Sequence, residues 1–168
     1  MDGHVGRRWV VIDLVLLALV LALVAVLATA LRPGAAAPTR SAESSRQLAV
    51  SEVARQQAIA FLSVDHRDMD AVSERVLGLA TGELARTYAE EEDELVARVE
   101  RDRTVVTSSA RAVGVGELQD GRAVVLVAAD SEVRDVRDEE PRLRRDRLRL
   151  EVVREGERWL VSELEFVR

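Results

Sequence analysis

The sequence predicts an α+β chain: an N-terminal transmembrane helix, then three helices packed on a four-stranded antiparallel sheet. Three observations carry that expectation. Residues 9–31 form an apolar run with Asp13 as the single charge. Beyond it, apolar residues recur at helical spacing until about residue 103, where the pattern changes once to strand-like alternation. The strand half is punctuated by short turn signals, Asp120-Gly121 and Glu155-Gly156-Glu157. Helices first and strands second are the arrangement of an antiparallel sheet covered by helices.

The apolar run WVVIDLVLLALVLALVAVLATAL would reach about 34 Å as a helix at ~1.5 Å per residue, against a bilayer core of about 30 Å. Trp9 stands where an interfacial aromatic belongs, and Arg32-Pro33-Gly34 would end the helix. Ala28-Thr29-Ala30 has the small-x-small form of a signal cleavage site, but the run exceeds an ordinary signal core. An uncleaved anchor is therefore expected, and Asp13 falls in its first turn, near headgroups and the positive helix end. Arginines flank the run on both sides, so charge counting does not orient it. A short cytoplasmic tail (1–8) and a translocated C-terminal domain are expected, because long domains cross largely regardless of charge.

Residues 32–41 carry two prolines and a glycine and read as a linker to a domain spanning 42–168. Its first helix is expected over about 42–64, with Val50, Val53, Ala54, Ala58, Phe61 and Leu62 as the apolar stripe. A polar corner, Asp65-His66-Arg67-Asp68, leads to a short helix over about 70–79, which Ala80-Thr81-Gly82 interrupts. A third helix over about 83–103 sets Leu84, Tyr88, Leu95 and Val99 on one side. The run Glu90 to Glu94 wraps around that helix instead of converging on a point, so it reads as a solvated face and not as a cation site.

Asp120-Gly121 should close a hairpin between strands near 105–118 and 123–136. The next connection passes through residues 138–141. For the last hairpin, a three-residue loop over 155–157 pairs Leu148 with Leu164 and Val152 with Leu160. It also sets Arg147 opposite Glu165 and Arg149 opposite Glu163, satisfying apolar and ionic pairs together. Leu148, Leu150, Val152, Leu160, Leu164 and Phe166 then face the helices. Arginines of RLRRDRLRL face acids across the strands, with Asp130 and Glu132 on the neighbouring strand. The same register places Trp159, Val161 and Val153 on the outer face, either as a partner surface or as a cluster covered by sheet curl.

Composition excludes several classes. The chain has no cysteine and two histidines, so thiolate metal sites, disulfides and histidine-rich metal centres are out. Its net charge of −6 is uneven: residues 1–40 carry four arginines against two aspartates, leaving −8 for the rest. An acidic domain of that kind is a poor nucleic-acid binder, so no nucleic-acid partner is expected. No phosphate loop, nucleophile elbow or His-Glu-x-x-His is present, and no cofactor is expected.

Phe61-Leu62-Ser63-Val64-Asp65-His66-Arg67 with Met69-Asp70, Ala80-Thr81-Gly82 with Tyr88, and Gly156 with Trp159-Leu160-Val161 occur in an order that resembles the Mce-associated membrane proteins of actinobacteria. Val64 and His66 stand where that family commonly has tyrosines. The resemblance spans most of residues 9–168. It implies a single-pass membrane protein whose extracytoplasmic domain has a curved sheet of the nuclear transport factor 2-like, cone-shaped type. It also implies a non-catalytic accessory subunit of an Mce lipid importer in the cell envelope, with the bilayer, transporter components and a lipid as candidate partners. Inner-membrane scaffold proteins of type IV secretion systems share this layout and give the neighbouring reading. The same fold class includes isomerases and dehydratases, so a pocket at Asp65, His66 and Tyr88 is the enzymatic alternative: Asp65 as base, Tyr88 polarising a carbonyl. Against it, Asp68 or Asp70 would naturally cap the second helix.

Overall fold

The computed structural model describes the backbone of residues 36–167 and the side chains of residues 41–137 and 140–167. The expected tail (1–8), the expected transmembrane helix (9–31) and the first residues of the expected linker lie outside the described residues. Among the described residues, no helix is long and apolar enough to cross a membrane. The chain divides into a unit of Met1–Ala42 and one of Glu43–Arg168. All that follows concerns the second unit, apart from the first residues of its leading helix.

The order of elements is α1 (Ala36–Leu62), β1 (Val64–Asp65), α2 (Met69–Leu77), α3 (Gly82–Arg101), β2 (Val105–Gln119), β3 (Arg122–Asp135), β4 (Asp138–Glu155) and β5 (Arg158–Phe166). The sheet is antiparallel with strand order β1-β2-β3-β4-β5, so it has five strands and not the expected four. The additional strand is the pair Val64–Asp65, which lies on Val106 and Val105. Two residues in a polar corner carry no alternation, and only the arrival of β2 beside them creates the pairing. α1 starts at Ala36, inside the expected linker, with Pro38 in the first turn, where a missing N–H costs nothing.

Each helix end follows from local chemistry. The Asp68 carboxylate accepts the Ala71 N–H at 3.2 Å and caps α2, as the sequence suggested. α3 begins at Gly82, whose φ of +57° favours glycine. It ends where Arg103 turns left-handed (φ 48°) and the Thr104 N–H donates to the Val99 carbonyl at 2.9 Å. That reversal is the observed switch from helix to strand.

The helices cover one face of the sheet. Val50, Ala54, Ala58 and Leu62 of α1 meet Val125, Val127, Leu148, Leu150, Val152 and Val161 in one core. Strand alternation puts Ala123, Val125, Val127 and Ala129 inward on β3. Each fully buried valine or leucine contributes about 1.5–3 kcal/mol relative to exposure. A smaller cluster of Met69, Val72 and Val99 joins α2 to α3. Four polar side chains are buried among the described residues: Gln57, Ser73, Ser108 and Ser131. Ser108 and Ser131 satisfy each other across β2 and β3 at 2.8 Å. Gln57 is fully buried, and among the described residues neither end of its amide has a hydrogen-bond partner.

The last hairpin corrects the expected register. Its loop is Gly156-Glu157, closed by Glu155 opposite Arg158, so Val153 faces Leu160 and Arg154 faces Trp159. A bulge at Ser162 then adds one residue, and Leu148 faces Phe166, Leu150 faces Leu164 and Arg149 faces Glu165. The expected pairs Leu148–Leu164, Val152–Leu160, Arg147–Glu165 and Arg149–Glu163 are not formed. A two-residue loop shifts the strand by one residue, and the bulge restores the side-chain parity beyond it. Leu164 therefore still packs on the core, while Phe166 is 58% exposed.

Candidate functional site

A groove of about 400 Å³ lies between α3, the end of α1, β1 and β5. Its floor is apolar: Phe61, Val64, Leu84, Tyr88, Leu95 and Leu164. Helical periodicity places Leu84, Tyr88, Glu91, Leu95 and Arg98 along one side of α3, a run of about 21 Å at ~1.5 Å per residue. The rings of Phe61 and Tyr88 lie 6.4 Å apart and tilted, and Phe166 meets Phe61 at the same distance, also tilted. Tyr88 is buried, with its hydroxyl 3.5 Å from that of Ser73.

The rim is acidic. Four glutamates, Glu83, Glu91, Glu163 and Glu165, line the groove with Arg98 as the one cation. Two of the four are already neutralised. Arg86 pairs with Glu83 and holds its carboxyl below the usual carboxylate range. Arg149 reaches Glu165 at 3.5 Å and Glu151 at 2.8 Å. Glu91 and Glu163 make no ion pair or hydrogen bond among the described residues. The segment 79–81 fixes this geometry by lying along β5: the Val161 N–H donates to the Leu79 carbonyl at 2.8 Å, and the Thr81 N–H to the Val161 carbonyl at 2.9 Å. Arg158 donates to the Gly78 carbonyl and the Thr81 hydroxyl to Glu155, so the start of α3 is tied to β5.

The residues expected from sequence fall into three places. Tyr88 lines the groove, but Asp65 and His66 do not; only their neighbour Val64 does. Asp65 accepts the backbone and side-chain N–H groups of Arg67, which hold its carboxyl down to about 2. A carboxyl so depressed is a weak base, opposite to the desolvated aspartate that the enzymatic alternative needs. The His66 N–H donates to the Thr104 carbonyl and secures β1 to β2. Of the expected outer cluster, Val161 is fully buried in the core, and Trp159 and Val153 are half-buried, with Trp159 packed on that core. Val161 cannot serve as a surface residue: the register shift turns it inward, opposite Val152.

The outer face of the sheet carries ion pairs, as the sequence led us to expect, though in different rows. Arg111 and Arg145 flank Asp130 at 3.1 and 4.0 Å, giving base–acid–base across β2, β3 and β4. On the opposite, helix-facing side, where Asp146 lies across from Ala129 and Arg144 from Ser131, Arg144 pairs with Asp146 at 2.8 Å. Among the described residues, no group of three or more acids and histidines is placed to hold a metal ion.

The groove as a unit was not legible in the sequence. The α3 stripe was legible, and so were Phe61 and Leu164 as apolar. Their convergence with Glu91 and Glu163 depends on where β5 lies beside α3, and no local pattern encodes that.

The antiparallel sheet with its helices on one face is a fold that this chain shares with bacterial periplasmic and secretion-system domains of known structure. The periplasmic domain of DotI superposes with a TM-score of 0.57 at 18% identity, over 70% of this chain and 92% of that one. CagV of Helicobacter pylori strain 26695, a VirB8 homolog of a type IV secretion system, superposes with a TM-score of 0.58 at 4% identity, over 71% and 97%. The chain itself belongs to the family described as Uncharacterized protein Rv1363c/MT1408-like, which matches residues 10–168. Uncharacterized protein Rv1363c of Mycobacterium tuberculosis (strain ATCC 25618 / H37Rv) is 30% identical over 122 residues, covering 73% of this chain. The chain spans about half of that relative, 47% of its length. None of these matches names an Mce transporter, so that assignment rests on the sequence motifs alone.

Proposed function

We propose that this chain is an extracytoplasmic scaffold domain that joins other components of an envelope-spanning assembly and performs no chemistry of its own. The observation that carries this reading is the fold shared with the DotI periplasmic domain and with CagV. Sequence identity to both is low, so the likeness bears on architecture, and the role follows by analogy. The site chemistry supports it. The aspartate best placed to act as a base is held ionised by Arg67, and the groove offers apolar area with charged edges, the anatomy of a contact surface. Attachment to the membrane through the apolar residues 9–31 belongs to the same proposal, with residues 1–8 cytoplasmic. The likeness to DotI and CagV favours an assembly of the type IV secretion kind, while an Mce lipid importer rests only on the motifs around Phe61–Arg67 and Trp159–Val161.

The test is site-specific photo-crosslinking in native membranes, with the reactive group at exposed Leu126 or Phe166, followed by identification of the captured chains. Recovery of transporter subunits supports the importer form, and recovery of secretion components the other. A well-expressed chain that captures neither would refute the scaffold reading.

A further inference from the structure

The groove along α3 combines three properties that together specify an occupant. It is long: its lining on α3 runs from Leu84 to Arg98, about 21 Å at ~1.5 Å per residue, close to four helical turns. A small ligand would occupy a fraction of that length. Its floor is apolar and partly aromatic, and exposed Phe166 extends that surface from Phe61. Its rim is negative, four glutamates against one arginine; the Glu91 and Glu163 side chains make no ion pair or hydrogen bond among the described residues, although Arg149 lies near enough to interact with the charge of Glu163. The exposed acids Glu90, Asp93 and Glu94 stand on the same helix outside the groove lining, Glu90 paired with Arg86. α3 as a whole has seven acidic and three basic side chains.

We infer that the groove is the docking site for a basic amphipathic helix of a partner protein. Its leucine-like face would lie on Phe61, Tyr88, Leu95 and Leu164, and its lysines or arginines would meet Glu91 and Glu163. An amphipathic helix in an apolar groove is anchored by residues at i, i+3 or i+4 and i+7, which matches the spacing of the α3 wall. Charge complementarity at the rim sets orientation and encounter rate, and the apolar floor supplies most of the affinity. The acidic rim disfavours an anionic lipid headgroup, the other candidate for an elongated apolar groove in the envelope. This deepens the scaffold reading and rests on it by naming the chemistry of one contact. Peptide binding can fail while partner crosslinking succeeds, so the two are separable.

Tyr88 is the sole tyrosine of the chain, so 3-fluorotyrosine gives one ¹⁹F resonance inside the groove. The full chain would be titrated, beside phosphatidylcholine nanodiscs, with a capped leucine–lysine helical peptide of about 14 residues, long enough to hold a helix. Saturable movement of that resonance is expected, with affinity weakening about tenfold between about 50 and about 300 mM salt. Glu91→Arg with Glu163→Arg should weaken binding about tenfold or more, while Asp93→Arg with Glu94→Arg, the same change in net charge off the groove, should leave it within about twofold. Phe166→Ala, at an exposed position, should weaken binding without unfolding the domain. An unmoved resonance at saturating peptide would overturn the inference. So would equal losses in the two charge-reversed pairs. Movement of the resonance by phosphatidylglycerol vesicles and not by peptide would also overturn it, by assigning the groove to lipid.

Discussion

Gln57 should be a net destabilising residue, and replacing it should strengthen the domain. It occupies the core-facing side of α1, in register with Val50, Ala54, Ala58 and Phe61, and is fully excluded from solvent. Both its amide nitrogen and its amide oxygen lack partners among the described residues. A buried polar group left unsatisfied costs about 1–3 kcal/mol, and here two such atoms share one amide. Gln57→Met keeps length and flexibility while removing both polar atoms, and it adds apolar contact with the same neighbours. The expected gain is about 1–3 kcal/mol. For a domain of this size each kcal/mol moves the melting temperature by roughly 3–5 °C, so a rise of about 3–15 °C should appear in thermal denaturation followed by circular dichroism. Urea unfolding should give a higher midpoint at an unchanged slope. A melting temperature that is unchanged or lower would refute the reasoning, because it would mean the amide is satisfied, for instance by an ordered buried water.

Other outcomes follow from named contacts. Ser131→Ala should cost about 1–3 kcal/mol by stranding the buried Ser108 hydroxyl, whereas the double change to alanine should cost much less; equal or additive losses in urea unfolding would exclude that pairing. Val161→Ala should cost about 1–3 kcal/mol by opening a cavity opposite Val152, while Leu126→Ala, 53% exposed on the outer face, should stay within about 0.5 kcal/mol. The reverse ranking would return Val161 to the surface. The Asp65 carboxyl should titrate near 2 by NMR, below its ordinary 3.8, because Arg67 stabilises the ionised form. Its folded-state pKa lies below the unfolded one, so its contribution to stability is complete above pH 4 and is lost as pH falls from 4 towards 2. Asp65→Asn should remove that part of the acid dependence, and a midpoint at or above 3.8 would reject the Arg67 bond.

The structure also changes how the charge pattern is understood. Several arginines of β4 are engaged by acids on the same or neighbouring strands: Arg144 with Asp146 on the helix-facing side and, on the outer face, Arg145 with Asp130 and Arg149 with Glu151 and Glu165. These exposed pairs add little stability individually, about 0–1 kcal/mol each. Their effect is to leave that face mixed in charge, while α3 keeps an uncompensated negative excess. The polarity of the domain is thus set by α3 and the end of β5.

The sequence alone determined what local physics controls. Apolar spacing placed α1, α2 and α3 within a few residues of their observed core-facing sides, and Asp120-Gly121 placed the β2–β3 turn, where Gly121 has a φ of +82°. Asp68 was legible as a cap because its hydrogen bond closes over three residues. Tertiary structure decided what depends on elements distant in sequence. Val64–Asp65 became a strand only because β2 lay beside it, which raised the sheet from four strands to five. The β4–β5 register turned on a two-residue loop and on the Ser162 bulge. In a period-two strand a single inserted residue exchanges inside for outside, so Val161 went to the core. The groove belongs to the second category as well. Its residues come from α1, β1, α3 and β5, each readable alone as apolar or acidic, and the spacing that makes them one surface exists only after the chain has folded.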